Sequence, residues 1–132
     1  MKKHLLAAAI GLVLASSAQA MPFDKSSLSL SIAGTYMTDV FDEGAAEIVA
    51  HDAANQRIFV INAAAATVDV LDINDPAYPS KIGEIDVSAL GSGVNSVAVY
   101  KGLVAVAIES DPKQEPGKVA FYDSTDLSYI SD

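Results

Sequence analysis

Cysteine and tryptophan are absent from the 132 residues, and basic side chains are few: 8 Lys or Arg stand against 17 Asp or Glu, a formal charge of −9. Without cysteine there is no disulfide, no Cys-ligated zinc and no thiol nucleophile. The acidic balance disfavours a nucleic-acid binder, which presents a basic stripe to the phosphate backbone. Histidine is as scarce, with His4 and His51 the only two. Several site signatures are missing as well. There is no G-x-S-x-G elbow, no G-x-G-x-x-G or Walker loop, and no D-x-D-x-D-G calcium loop. Apolar residues nevertheless make up 51% of the chain, too many for a disordered one.

Long apolar runs are also lacking, apart from Leu5 to Ala15, which is too short to span a bilayer comfortably. It follows Lys2 and Lys3 and ends in Ala18-Gln19-Ala20, an A-x-A pattern. A basic start, a short apolar core and small residues at the end read as a secretory signal peptide over residues 1–20. Cleavage after Ala20 would leave 6 basic and 17 acidic side chains, a balance of −11. An acidic, cysteine-free exported chain fits the periplasm, the extracellular space or the cell surface of a bacterium. No later stretch of the mature chain reads as a transmembrane segment.

What is present is a succession of short strands. Residues 21–33 read as a leader whose Leu28, Leu30 and Ile32 alternate as one short strand, and Gly34 to Gly44 reads as a loop. Then Glu47 to His51, Arg57 to Asn62, Thr67 to Asp72 and Lys81 to Val87 are rich in Val, Ile and Phe and separated by turn residues. The same order recurs in Ser96 to Tyr100, Leu103 to Ile108, Lys118 to Asp123 and Asp126 to Ile130. Val49-Ala50 matches Val97-Ala98 at a spacing of 48, and Asp72 matches Asp123 at 51.

Four short strands at a period near 50 predict an all-β fold of four-stranded antiparallel β-propeller blades. Blade 1 is expected at about 47–90 and blade 2 at about 95–132, the second cut short. The region 34–132 would then be the N-terminal part of a larger propeller, with further blades as its partners. A small β-sandwich is the competing reading, but it needs no internal similarity at this period. Two blades leave apolar faces without neighbours, so the mature chain alone is expected to associate.

The repeat also predicts a site. The start of a blade's first strand and the end of its second share one rim near the propeller axis. Glu47 and Asn62 hold those places in blade 1, and Asn95 and Glu109 hold them in blade 2. The acidic pair Asp42 and Glu43 falls on the same face. Oxygen donors from successive blades could coordinate calcium or magnesium, with Asp42, Glu43, Glu47 and Glu109 as candidate ligands. Asn62 and Asn95 would line the rim for a small polar ligand or a surface partner. The plainer alternative is that strands begin and end in solvated polar residues. Asp69, Asp72, Asp75 and Asp123 read as turn or surface residues, and His51 as an exposed residue beside a turn.

Val68 to Gly83 (VDVLDINDPAYPSKIG) resembles the LVIVD-type repeat of bacterial surface propellers, in which a strand ends in Asp and a D-P-x-x-P loop follows. Gly34-Thr35-Tyr36, Val40 to Ala50, Asn95 to Val99 and Gly117 to Asp123 resemble choice-of-anchor I proteins, so the likeness runs from about Leu30 to Asp123. It implies a secreted or surface-attached propeller. Some proteins it resembles are described as alkaline phosphatases or phytase-like esterases. The resemblance therefore also implies an alternative to ligand binding, a metal-dependent phosphoesterase using the same four carboxylates.

Overall fold

The structure, a computed structural model, describes residues 29–132, so the expected signal peptide and the first part of the leader lie outside the described residues. Ile32 to Asp132 forms one compact unit. It contains eight strands: β1 (Val49–Asp52), β2 (Arg57–Asn62), β3 (Thr67–Asp72), β4 (Ser80–Asp86), β5 (Gly93–Tyr100), β6 (Leu103–Glu109), β7 (Lys118–Asp123) and β8 (Tyr129–Ser131). They pair antiparallel in chain order as two sheets, β1-β2-β3-β4 and β5-β6-β7-β8. These are two four-stranded propeller blades, and no helix accompanies them among the described residues. The alternation at Leu30 and Ile32 forms no strand: both are exposed, and 29–40 has no regular secondary structure. The segment pairs with no sheet edge, and alternation without a pairing partner does not make a strand.

Turn chemistry explains where β1, β3, β4 and β7 stop and how the loops beyond β3 and β7 are shaped. Asp52, Asp72, Asp75, Asp86, Asp123 and Asp126 each accept a backbone N–H two residues on, from Ala54, Asn74, Ala77, Ser88, Thr125 and Ser128. This is the Asx-turn, in which a short carboxylate replaces the next ladder bond. Between β5 and β6 only Lys101 (φ 48°) and Gly102 (φ 83°) intervene, both left-handed as a type I′ hairpin requires.

Pairing shows how the blades correspond. Val49 faces Val60 and Val97 faces Val106, while Asp72 faces Arg57 and Asp123 faces Leu103. The spacings of 48 and 51 read in the sequence are therefore those of the strands. The core lies between the sheets, where β5 packs against β1, β2 and β3. Phe59, Ile61, Val68 and Val70 of blade 1 are buried together with Val97, Val104, Val106, Ala120 and Tyr122 of blade 2. Alternation along a strand gives each blade a second face. In blade 2 it carries Ala105, Ala107, Val119 and Phe121, register mates of Phe59, Ile61, Val68 and Val70. Val119 there is 48% exposed, whereas Val68 is fully buried.

The second face of blade 1 carries Ile58, Val60, Asp69 and Leu71. It is overlain by the strap, residues 34–46, which has no regular structure. Backbone contacts hold the strap. The Gly44 carbonyl accepts the N–H groups of Ala63 (2.8 Å) and Ala64 (3.3 Å). At its other end Gly34 lies so close to the Pro76 and Ala77 carbonyls that a Cβ would collide with them.

Candidate functional site

One rim is built by the end of the strap, the β2–β3 hairpin, the β4–β5 connection and the β6–β7 loop. Strand direction puts them together, because β1 and β5 start where β2 and β6 end. Glu47 donates its backbone N–H to the Ile61 carbonyl at 3.1 Å, so it stands beside Asn62. Its carboxylate lies against Gly44. The side-chain oxygen of Asn62 accepts the Ala65 N–H at 3.2 Å and closes the hairpin. Asp42 and Glu43 are exposed, Asp42 in a left-handed turn (φ 62°).

In blade 2, Gly93 pairs with Glu109 across the first ladder position. The Glu109 carboxylate accepts an ion pair from Lys113 at 3.0 Å. Asn95 is exposed and sits in a bulge, since Val94 pairs with Ile108 and Ser96 with Ala107. A bulge re-aims the side chain of the extra residue. Strand periodicity could not show that shift, because the strand starts at Gly93, two residues earlier than Asn95. Ser92 ties the neighbouring loops together, its hydroxyl donating to the Ser110 carbonyl at 3.0 Å.

Each blade therefore carries its carboxylate and carboxamide at the same rim, flanked by loops 63–66, 87–92 and 110–117. Among the described residues, no three Asp, Glu or His side chains converge as a metal ion would require. The arrangement offers hydrogen-bond acceptors and donors spread along two blades, with Lys113 as a nearby cation.

Two polar constellations escaped the sequence reading. At the opposite rim, Arg57 Nη1 donates to the carbonyls of Ser124 and Thr125, both at 2.6 Å, bridging the blades. Asn55 Nδ2 donates to Asp52 Oδ2 (2.8 Å) and Ser124 Oγ (3.2 Å). Burial raises the Asp52 pKa, but the hydrogen bonds from Asn55, Ser124 and nearby backbone outweigh it and hold the carboxyl below the usual range. These bonds tie blade to blade.

The second constellation centres on Asp69. Its side chain is 6% exposed and accepts an ion pair from Lys81 at 2.9 Å, and Lys81 also holds Glu84 at 2.7 Å. Hydrogen bonds to Glu84 and Asp69 push the Lys81 pKa up to about 12. Asp69 shares its face with Ile58, Val60 and Leu71 and lines a cavity of about 260 Å³ beneath the strap. The alternation V-D-V-L-D placed it toward solvent. Only the strap, whose course no periodicity reveals, makes that face an interior.

Among the described residues no helix is long and apolar enough to cross a membrane. No curated protein matches the chain. A family model does: that of the choice-of-anchor I domain, over residues 47–132, which takes in all eight strands.

Proposed function

This chain belongs to the choice-of-anchor I domain family, and on that premise we propose that it is an exported module that binds a small polar ligand or a surface partner at the rim carrying Glu47, Asn62, Asn95 and Glu109. Membership supports a surface-associated module, secreted or held at the cell surface. The observation that carries the ligand reading is the repetition of a carboxylate and a carboxamide at one rim in both blades. Repetition matters because a polymer or an extended surface can meet polar side chains of both blades along one rim. Export through the signal peptide of residues 1–20 is part of the proposal, as is docking of further blades on the outer face of blade 2. The apolar character of that face supports the latter.

The test is an amide chemical-shift titration of the chain with mono- and disaccharides and free amino acids. Shifts confined to residues 42–47, 62–66, 87–95 and 109–117, and lost in the Glu47→Gln/Glu109→Gln double variant, are the expected result. Shifts elsewhere, or none with any probe, would refute the rim as a binding surface. The same preparation, given calcium and a chromogenic phosphomonoester, separates the enzymatic alternative. Turnover abolished by chelator and by the double variant would assign Asp42, Glu43, Glu47 and Glu109 to a metal-dependent phosphoesterase instead.

A further inference from the structure

The cavity under the strap has the composition of a ligand site rather than of a packing defect. Its walls are apolar, with Val49, Ile58, Val60 and Leu71 from blade 1 and Ala45 and Tyr36 from the strap among them. In this setting one carboxylate stands out. The register mate of Asp69 in blade 2 is Ala120, which is fully buried against blade 1. Where the repeat calls for a small apolar residue, blade 1 carries a charge with 6% of its side chain exposed.

A buried carboxylate is stable only when its charge is answered. Lys81 answers it, and the same ammonium also holds Glu84, whose side chain is 51% exposed. Asp69, Lys81 and Glu84 together keep one net negative charge. The Lys81 ion pair and the Thr67 hydroxyl contact (3.4 Å) both fall on Oδ1. Oδ2 has no such partner among the described residues, and since no buried side-chain oxygen there lacks a hydrogen bond, it is open to solvent from the cavity.

We propose that this cavity binds a small organic ammonium ion, its apolar body against Ile58, Val60 and Leu71 and its cationic head on Asp69. The volume of about 260 Å³ sets the size, since at ~30 Å³ per water it holds the equivalent of about nine water molecules. That suits a body of roughly eight to ten non-hydrogen atoms, far larger than methylammonium. The strap covers the site and is held at Gly34 and Gly44 by backbone contacts.

The probe is 2-phenylethylammonium, compared with its neutral counterpart 2-phenylethanol by amide chemical-shift titration of the chain. The ammonium ion should bind at least about tenfold more tightly than the alcohol, with shifts in residues 34–46, 58–60 and 69–71. Asp69→Asn should bring the two affinities to within about twofold, and Val60→Phe, which fills the cavity, should weaken both by at least about tenfold. Should Asp69→Asn not fold, as circular dichroism would show, Val60→Phe and the salt dependence of the ammonium affinity decide. Equal affinity for ion and alcohol would overturn the proposal and mark the cavity as an apolar groove for a neighbouring blade. An ion affinity unchanged by Asp69→Asn or by Val60→Phe would overturn it too, as would no binding of either probe.

Discussion

Phe59 and Phe121 occupy register-equivalent faces of the two blades and should respond very differently to truncation. Phe59 is fully buried between the sheets, among Ile61, Val68, Val70 and the valines of blade 2. Removing it leaves a cavity bounded on both sides by strands paired along their length, which cannot collapse into it. Phe-to-Ala changes at such positions cost about 3–5 kcal/mol, the lost transfer energy plus the cavity. Phe121 pairs with Ala105 on the outer face of blade 2 and is only half-buried. Its truncation opens no closed cavity and should cost about 1 kcal/mol. Urea titration followed by far-UV circular dichroism reads the difference directly. With a slope near ~2 kcal/mol/M for a chain of this size, Phe59→Ala should lower the midpoint by about 1.5–2.5 M and Phe121→Ala by about 0.5 M. A slope unchanged among the three proteins is required for that comparison. Equal midpoint losses, or a Phe59→Ala loss below about 0.5 M, would refute the placement of the core between the two sheets.

Arg57→Ala removes the charged donor to the Ser124 and Thr125 carbonyls and should destabilise by about 1–2 kcal/mol in the same titration, with Arg57→Lys recovering only part. Lys101→Asn places a residue suited to left-handed φ at the position where Lys101 has φ 48°, and should raise the melting temperature by a few degrees, about 0.5 kcal/mol. The hydrogen bonds that lower the Asp52 pKa predict an acid limb. A group with a depressed folded pKa adds stability that is complete above its unfolded value of 3.8 and disappears as pH falls through the folded value. Melting temperature should therefore drop below about pH 4, and Asp52→Asn should make that drop shallower. At the alkaline end, Lys81, raised to about 12, adds stability that is whole below 10.5 and lost as pH climbs through 12. Lys81→Met should flatten that limb.

The phase and spacing of the strands were legible because β-branched runs and Asp-terminated turns report directly on local geometry. Asp72 and Asp123 mark equivalent turns in both descriptions, each bonding backbone N–H groups just beyond its strand. The shared rim followed from strand direction alone, so Glu47 and Asn62 stand where the repeat puts them. Asn95 does not, because a bulge inserts a residue without altering the hydrophobic pattern around it. The strap was illegible for a deeper reason. Its anchors at Gly34 and Gly44 are backbone contacts, which leave little trace in side-chain periodicity. Asp69 was misread in consequence, since an alternating strand shows which residues share a face but not what covers that face.

At this rim the two blades differ in the length of one turn as well as in the Asn95 bulge. The turn between β2 and β3 takes four residues, 63–66, whereas that between β6 and β7 takes eight, 110–117. The ladder on either side of the longer loop is undisturbed, with Ile108 still opposite Lys118. Length at this rim is thus uncoupled from folding, since loop closure penalties grow only slowly with added residues. Insertion and deletion here can therefore change the surface offered at the rim while leaving the packed strands untouched. For the same reason, segment 110–117 is the natural place to graft a foreign recognition sequence.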